Sequence, residues 1–339
     1  MHSVGIMGAG SVGLYLGGCL QVAGASVVYV GRPTLLNALQ NTGLRVTDYL
    51  GRDQTLAADA LNLATHVSAL AHCDLVLVTV KSAATADVAL ELAQHLKPGA
   101  IVISFQNGVR NAEVLRAAMP SQTVLAGMVP FNVLNCGDGR FHQGSFGALD
   151  VAAHEGLSAY SGVFSRAGLA FNAQNDMPAV LWGKLLLNLN NAINALSNLP
   201  LKAELSQRDY RRCLSLAQRE ALALYSAAGI KPMQLTALPP HWLARLLTVP
   251  DWLFQRLAQR MLAMDPLARS SMWEDLEAGR RTEVDWIQGE VVALATELGR
   301  TAPVNASLRQ LIREAEQAGA DRRSWSGAEL LARLRSTSA

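Results

Sequence analysis

The segment Gly8-Ala9-Gly10-Ser11-Val12-Gly13 constrains this chain more than any other stretch. Its G-x-G-x-x-G spacing follows a short apolar run, Val4 to Met7, and precedes a helix-compatible segment, Leu14 to Ala23. Strand, tight turn and helix in that order are what a dinucleotide-binding loop requires. Gly8 permits the turn, Gly10 lets a backbone amide approach a pyrophosphate, and Gly13 lets helix and strand pack closely. The amides at the helix start then face the phosphates. A tight turn in an unrelated α/β unit would use the same glycines; the position directly after a first strand favours the nucleotide.

At 339 residues the chain exceeds one small core, and two domains are expected. Half of the residues are hydrophobic and 17% are charged, which excludes a disordered chain. A net charge of +2, with no basic run beyond pairs such as Arg211-Arg212 and Arg280-Arg281, gives no pointer to nucleic acid. Cys19, Cys73, Cys136 and Cys213 lie far apart without C-x-x-C spacing. Neither a metal site nor a disulfide framework is therefore expected, and a cytoplasmic location fits. The first strand is expected to begin almost at Met1, so no signal peptide is expected. No apolar run approaches the ~18 residues that a membrane span needs, so no membrane partner is expected.

The first half reads as a mainly parallel, Rossmann-type sheet. The second strand, Ser26 to Val30, ends at Gly31-Arg32, where an Asp or Glu would accept hydrogen bonds from the ribose of NAD. No acidic residue occurs before Asp48, and a guanidinium forks well onto a phosphate, so Arg32 argues for NADP. A solvated loop arginine is the plainer alternative. Two or three short strands are expected between Leu44 and Val67. The apolar run Asp74 to Lys81 reads as a strand buried on both faces, with Lys81 at its carboxyl end, where open α/β sheets bind ligands. Ala100 to Ser104 leads in the same way into Gln106-Asn107-Gly108; the Asn107 amide suits a carboxamide or ribose, and an Asn-Gly turn would use the same pair. Thr123 to Val129 is a further strand. Gly137-Asp138-Gly139 predicts a hairpin that adds antiparallel strands to the end of the sheet. A last strand, Leu169 to Asn172, places the boundary at Met177-Pro178: residues 1–177 form an NADP-binding domain and 178–335 an all-α substrate and dimerisation domain.

From Pro178 onward the strand signal vanishes and helical periodicity takes over, broken at Pro200, Pro232, Pro239-Pro240, Pro250, Pro266 and Pro303. The first helix is expected over Trp182 to Asn198. Leu185, Leu186, Leu189, Ala192, Ile193 and Leu196 share its apolar face, and Lys184, Asn188 and Asn191 stack on another at spacings of four and three. Five asparagines fall between Asn188 and Asn198, although Asn is a poor helix former. A lysine flanked by amides points to a site for an oxygen-rich small molecule; a solvated face would favour Lys and Glu. Further on, Ser271 with Glu274 fits a capping box and Thr282 with Asp285 fits S/T-x-x-D, which leaves Glu283 unexplained. Helix-start amides beside Ser271 are an alternative place for a carboxylate. Trp242 to Leu262 is leucine-rich, with Trp252 and Phe254; a homodimer surface, a lid and plain core are its three readings.

Taken together, the chain resembles the ketopantoate reductase (2-dehydropantoate 2-reductase) family. Four blocks in order carry the resemblance: the Gly8–Gly13 loop; Gln106-Asn107-Gly108; Trp182-x-Lys184 with Asn188; and Ser270-Ser271-Met272-x-x-Asp275 followed by Arg281-Thr282-Glu283-Val284-Asp285. The resemblance implies a Rossmann domain, then a helical domain, with the active site in the cleft between them. It implies that Lys184 is the general acid as NADPH delivers hydride to a 2-oxo acid. Gly8, Ala9, Gly10, Ser11, Val12 and Gly13 would bind NADP, with Arg32 and Lys81 near its phosphates. Asn107 would touch nicotinamide-ribose and substrate, Asn188 and Ser271 would hold the substrate, and Glu283 would lie against cofactor and substrate hydroxyl. The family's second asparagine, eight residues after the lysine, is Ala192 here; Asn191 is its expected replacement and Asn194 the other candidate. The implied function is reduction of 2-dehydropantoate to pantoate in pantothenate and coenzyme A synthesis. Ala192 keeps open a different 2-oxo acid, and a non-catalytic NADP-binding sensor is the reading from another class.

Overall fold

The computed structural model of the protein describes residues 3–145, 147–259 and 268–337. The chain divides into two compact units, Met1–Met177 and Pro178–Ala339.

The first unit carries strands β1 (Ser3–Met7), β2 (Ser26–Val30), β3 (Leu44–Asp48), β4 (Asp53–Leu56), β5 (Asn62–Ala64), β6 (Leu75–Val78), β7 (Ile101–Ser104), β8 (Thr123–Met128), β9 (Val133–Asn135), β10 (Arg140–Gln143), β11 (Leu149–Ala152) and β12 (Phe171–Gln174). Its helices are α1 (Ser11–Val22), α2 (Pro33–Thr42), α3 (Thr85–His95), α4 (Asn111–Ala118) and α5 (Ser158–Arg166). The main sheet has the order β12-β11-β8-β7-β6-β1-β2-β5. The strands from β5 to β8 run parallel, while β11 pairs antiparallel with β8 and parallel with β12. Residues of β6 and β7 are buried on both faces, which is why these strands are unbroken apolar runs.

A second sheet, β4-β3-β10-β9, was not expected. The predicted hairpin forms, with Gly137, Asp138 and Gly139 all at positive φ, and β9 and β10 pair antiparallel. It does not extend the main sheet, however. β10 pairs in parallel with β3 instead, and α1 lies between the two sheets. Two glycines on α1 permit this: a Cβ on Gly17 would meet Ile6 and Tyr29 of the main sheet, and one on Gly18 would meet Leu44 and Val46 of the small one. Buried Phe141 and the bond from the Tyr15 hydroxyl to Gln143 (2.7 Å) hold β10 there. β11 takes the antiparallel place beside β8 instead, and β12 forms the edge of the main sheet.

The second unit carries helices α6 (Met177–Asn188), α7 (Asn190–Ser197), α8 (Leu201–Leu205), α9 (Arg208–Ala227), α10 (Pro240–Leu246), α11 (Asp251–Leu257), α12 (Ser271–Glu277), α13 (Val284–Glu297), α14 (Pro303–Ala318) and α15 (Gly327–Ser336). No strand occurs among its described residues. Pro200, Pro239-Pro240, Pro250 and Pro303 stand at helix starts, where a missing amide hydrogen is harmless; Pro266 lies outside the described residues. The helix predicted over Trp182 to Asn198 is split at Leu189. The Leu186 carbonyl accepts from Gln218 (3.2 Å) and the Leu189 carbonyl from Gln288 (2.9 Å), so side-chain amides have entered the helical ladder. The predicted apolar face is nonetheless buried: Leu185, Leu186, Leu189, Ala192, Ile193 and Leu196 lie in the core. Trp242 to Leu262 is mixed. Leu243, Leu247 and Phe254 are buried, Trp242, Trp252 and Leu257 are exposed, and residues 260–262 of this stretch lie outside the described set. Among the described residues no helix is long and apolar enough to cross a membrane.

Candidate active site

In the first unit the four loops that follow β7, β6, β1 and β2 emerge side by side, because those strands are neighbours in that order and parallel. They carry Asn107, Lys81, the glycine loop and Arg32 respectively. The structure therefore brings every nucleotide-binding candidate of this unit to one carboxyl edge, where an open sheet receives its ligand.

The three glycines differ in what surrounds them. Gly8 has φ +107°, and a Cβ there would sit 2.6 Å from the Val80 amide nitrogen. A Cβ on Gly13 would sit 2.3 Å from the Gly8 carbonyl and 2.5 Å from Thr79 Oγ1. Gly10, by contrast, faces open space, with no atom within 4 Å of such a Cβ. Gly10 is also the N-cap of α1, and no side chain caps that helix. An uncapped helix start beside an open glycine is a cradle for an anion, and it fits a dinucleotide's pyrophosphate. Ala9 donates its amide to Val30 (2.9 Å), which pins the loop to β2. Arg32 is exposed at the start of α2, and Lys81 is exposed after β6.

Asn107 is half-buried, and its position is set by a polar network beneath it. Its carbonyl accepts from Ser82 Oγ (2.9 Å) and from Asn111 Nδ2 (2.5 Å). Gln106 donates to the Val80 carbonyl (3.1 Å) and to Thr85 Oγ1 (2.8 Å), and Thr85 donates to Asn111 Oδ1 (2.9 Å). Five buried polar side chains, Ser82, Thr85, Ser104, Gln106 and Asn111, thus lock the loops after β6 and β7 together. The sequence reading missed this network; its signal was the density of short polar residues after each apolar run.

In the second unit Lys184 and Asn188 lie on α6, Asn191 on α7, Ser271 at the first position of α12, and Glu283 is buried just before α13. Lys184 keeps partial surface access, yet burial pushes its ammonium down to about 8. Desolvation is the cause, since burial penalises the charged form of the amine.

The capping predictions need correction. The N-cap of α12 is Ser270, with extended backbone, and its hydroxyl accepts from the Trp273 amide (3.2 Å). Ser271 is therefore not the cap. The Thr282–Asp285 box does not form either. Thr282 Oγ1 donates to Glu316 (2.7 Å) and Asp285 pairs with Arg309 (2.6 Å) and Arg313 (2.8 Å), because α14 supplies better partners.

The asparagine surplus is also partly structural. Asn198 ends α7 in the left-handed region at φ +55°, and its Oδ1 accepts from Trp273 Nε1 (2.7 Å). Asn190 and Asn194 are buried and both donate to Glu204 Oε2, at 3.2 and 2.9 Å. Asn194 is thereby consumed in the core, and Ala192 is fully buried. Asn191 is partly exposed, and its carbonyl accepts from Ser270 Oγ (3.2 Å), which ties α7 to the start of α12.

A parallel sheet with an open glycine loop, joined to a helical unit bearing a desolvated lysine, defines a nicotinamide-dinucleotide oxidoreductase. Family models described as ketopantoate reductase PanE/ApbA and its C-terminal domain match residues 4–156 and 176–316. The 2-dehydropantoate 2-reductase of Halobacterium salinarum is 29% identical over 321 residues, 93% of this chain and 99% of that protein. The solved PanE/ApbA family ketopantoate reductase of Ralstonia eutropha is 30% identical, with a TM-score of 0.80 and coverage of 94% of this chain and 99% of that one. D-mandelate dehydrogenase, solved with NADH and anilino(oxo)acetate, shares the fold at a TM-score of 0.75 and 16% identity, over 93% and 99% of the two chains. The protein belongs to the ketopantoate reductase family.

Proposed function

We propose that the protein reduces 2-dehydropantoate to pantoate with NADPH, in pantothenate and coenzyme A synthesis. The observation that carries this reading is Lys184 on α6, whose ammonium burial holds near 8. When bound, NADPH supplies the hydride. The Gly8–Gly13 loop holds its pyrophosphate, with Lys81 close by, and Asn107 holds its nicotinamide-ribose. Arg32, exposed at the end of β2 where an NAD site would carry a carboxylate, takes the extra phosphate of NADP.

Lys184 meets the 2-oxo oxygen of the substrate. Its positive charge stabilises the negative charge that builds there, and it releases its proton to that oxygen. A desolvated lysine is a stronger acid than a solvated one, which suits this step near neutral pH. Ser271, whose hydroxyl is left over because Ser270 does the capping, binds the substrate carboxylate. Asn188 and Asn191 hold the substrate's remaining oxygens, and Glu283 accepts from its hydroxyl.

Steady-state kinetics over a panel of branched 2-oxo acids test the substrate. A kcat/KM for 2-dehydropantoate well above all others supports the proposal, and equal turnover of the panel refutes it. The buried Ala192 favours one second reading, a relative acting on another 2-oxo acid, since the amide expected there is missing. A sensor without catalysis would keep its cellular role in a Lys184→Ala protein, whereas a reductase would lose it.

A further inference from the structure

Glu204, on α8, is fully buried, and among the described residues no lysine or arginine pairs with it. Its Oε2 accepts from both Asn190 and Asn194, while Oε1 is buried without a hydrogen-bond partner. An ionised carboxylate in such a place would carry an uncompensated charge. A carboxylic acid puts its proton on Oε1 and leaves Oε2 to accept both amides. Burial pushes the group up to about 8, in keeping with the neutral form.

Asn194 passes this arrangement on. Its Nδ2 donates to Glu204 and to the Leu199 carbonyl (3.0 Å), which fixes the amide's orientation. Its Oδ1 then accepts from the Ser270 amide (2.9 Å). Ser270 in turn caps α12 through Trp273 and donates to the Asn191 carbonyl. A continuous chain of bonds therefore runs from Glu204 through Asn194 to the segment that bears Ser271 and to the backbone of Asn191.

We propose that Glu204 is a positioning residue for the 2-oxo acid: as a neutral carboxyl group it locks Asn194, and through it the Ser270–Ser271 backbone and Asn191. This rests on the assignment of Ser271 and Asn191 to the substrate. A purely structural role would predict general destabilisation, whereas positioning predicts a selective loss of substrate affinity.

Kinetics of E204L, E204Q and S271A with 2-dehydropantoate and NADPH separate the possibilities. The expected result for E204L is a KM for the oxo acid raised about tenfold, with kcat and the KM for NADPH within about twofold of the parent, matching the loss of one buried hydrogen-bond link. Gln keeps an acceptor and a donor in the same shape, so E204Q should restore the KM. A parental KM in E204L, equal losses in every parameter, or an E204Q as impaired as E204L would overturn the inference. If S271A leaves the oxo-acid KM unchanged, the substrate assignment itself fails. If S271A raises it and E204L does not, only the role of Glu204 fails. Should E204L not fold, Asn194→Ala breaks the same link and carries the same expectations.

Discussion

Gly10 and Gly13 stand three residues apart in one loop, and opposite responses to the same substitution are expected. At Gly10 a methyl group meets nothing within 4 Å, and the backbone at φ −90°, ψ −170° suits alanine. Gly10→Ala gains roughly 0.4–1 kcal/mol from the stiffer unfolded chain and loses a few tenths as a poorer N-cap, so its net effect on the cofactor-free protein is within about 0.5 kcal/mol. At Gly13 the methyl group would lie 2.3 Å from the Gly8 carbonyl and 2.9 Å from Ile6, and a backbone oxygen cannot swing aside as a side chain can. Gly13→Ala should therefore lose about 1–3 kcal/mol through overpacking. Urea unfolding of both variants without cofactor reads these values. NADPH titration then separates structure from binding. On the proposed cofactor placement a Gly10 methyl would crowd the pyrophosphate, so affinity should fall about tenfold or more, equivalent to at least ~1.4 kcal/mol. If Gly10→Ala bound NADPH as tightly as the parent, or unfolded as readily as Gly13→Ala, the loop would not be a phosphate cradle.

The other predictions concern the charged groups. Lys184→Ala should lower kcat by about 10²–10⁴ while leaving NADPH affinity unchanged, as stopped-flow turnover and titration would read. In the parent, kcat should fall as pH rises through about 8, because Lys184 can donate its proton only below that value. The same depression has a stability consequence with a definite sign. The folded lysine titrates at about 8 and the unfolded one at 10.5, so the fold penalises the charged form and stability rises with pH between those values. Lys184→Met should accordingly be more stable than the parent at neutral pH by about 1–3 kcal/mol in urea titrations, although inactive. Arg32→Ala should weaken NADPH about tenfold and leave NADH unchanged, since one charge-assisted phosphate contact is lost.

The first unit was the more legible because burial on both faces leaves a plain trace. β6 and β7 are unbroken apolar runs, and their carboxyl ends give Lys81 and Asn107 at once. The hairpin at Gly137–Gly139 was legible from its turn residues, but its sheet was not, since β10 pairs with β3 almost a hundred residues earlier, Phe141 with Val46. In the helical unit, periodicity gave the apolar face of the first helix but not its interruption. That break is made by Gln218 and Gln288, which are 32 and 99 residues from the carbonyls they bind. The capping box favoured Ser271 because Glu274 follows at the right spacing, yet the chain turns one residue earlier and Ser270 does the work. The asparagines read as excess for a packed helix, yet three of the five serve the fold: Asn190 and Asn194 bind Glu204, and Asn198 ends α7. Their division between core and site was invisible, because Glu204, the group that claims Asn190 and Asn194, shows no pattern in the sequence.

A crystal structure of the complex with NADP and a 2-oxo acid tests most directly the claim that Lys184 protonates the substrate. The expected result places Lys184 Nζ about 3 Å from the 2-oxo oxygen, with the nicotinamide ring against the 2-oxo carbon. A complex in which that ammonium points away from the bound nucleotide, with another group on the oxygen, would contradict it.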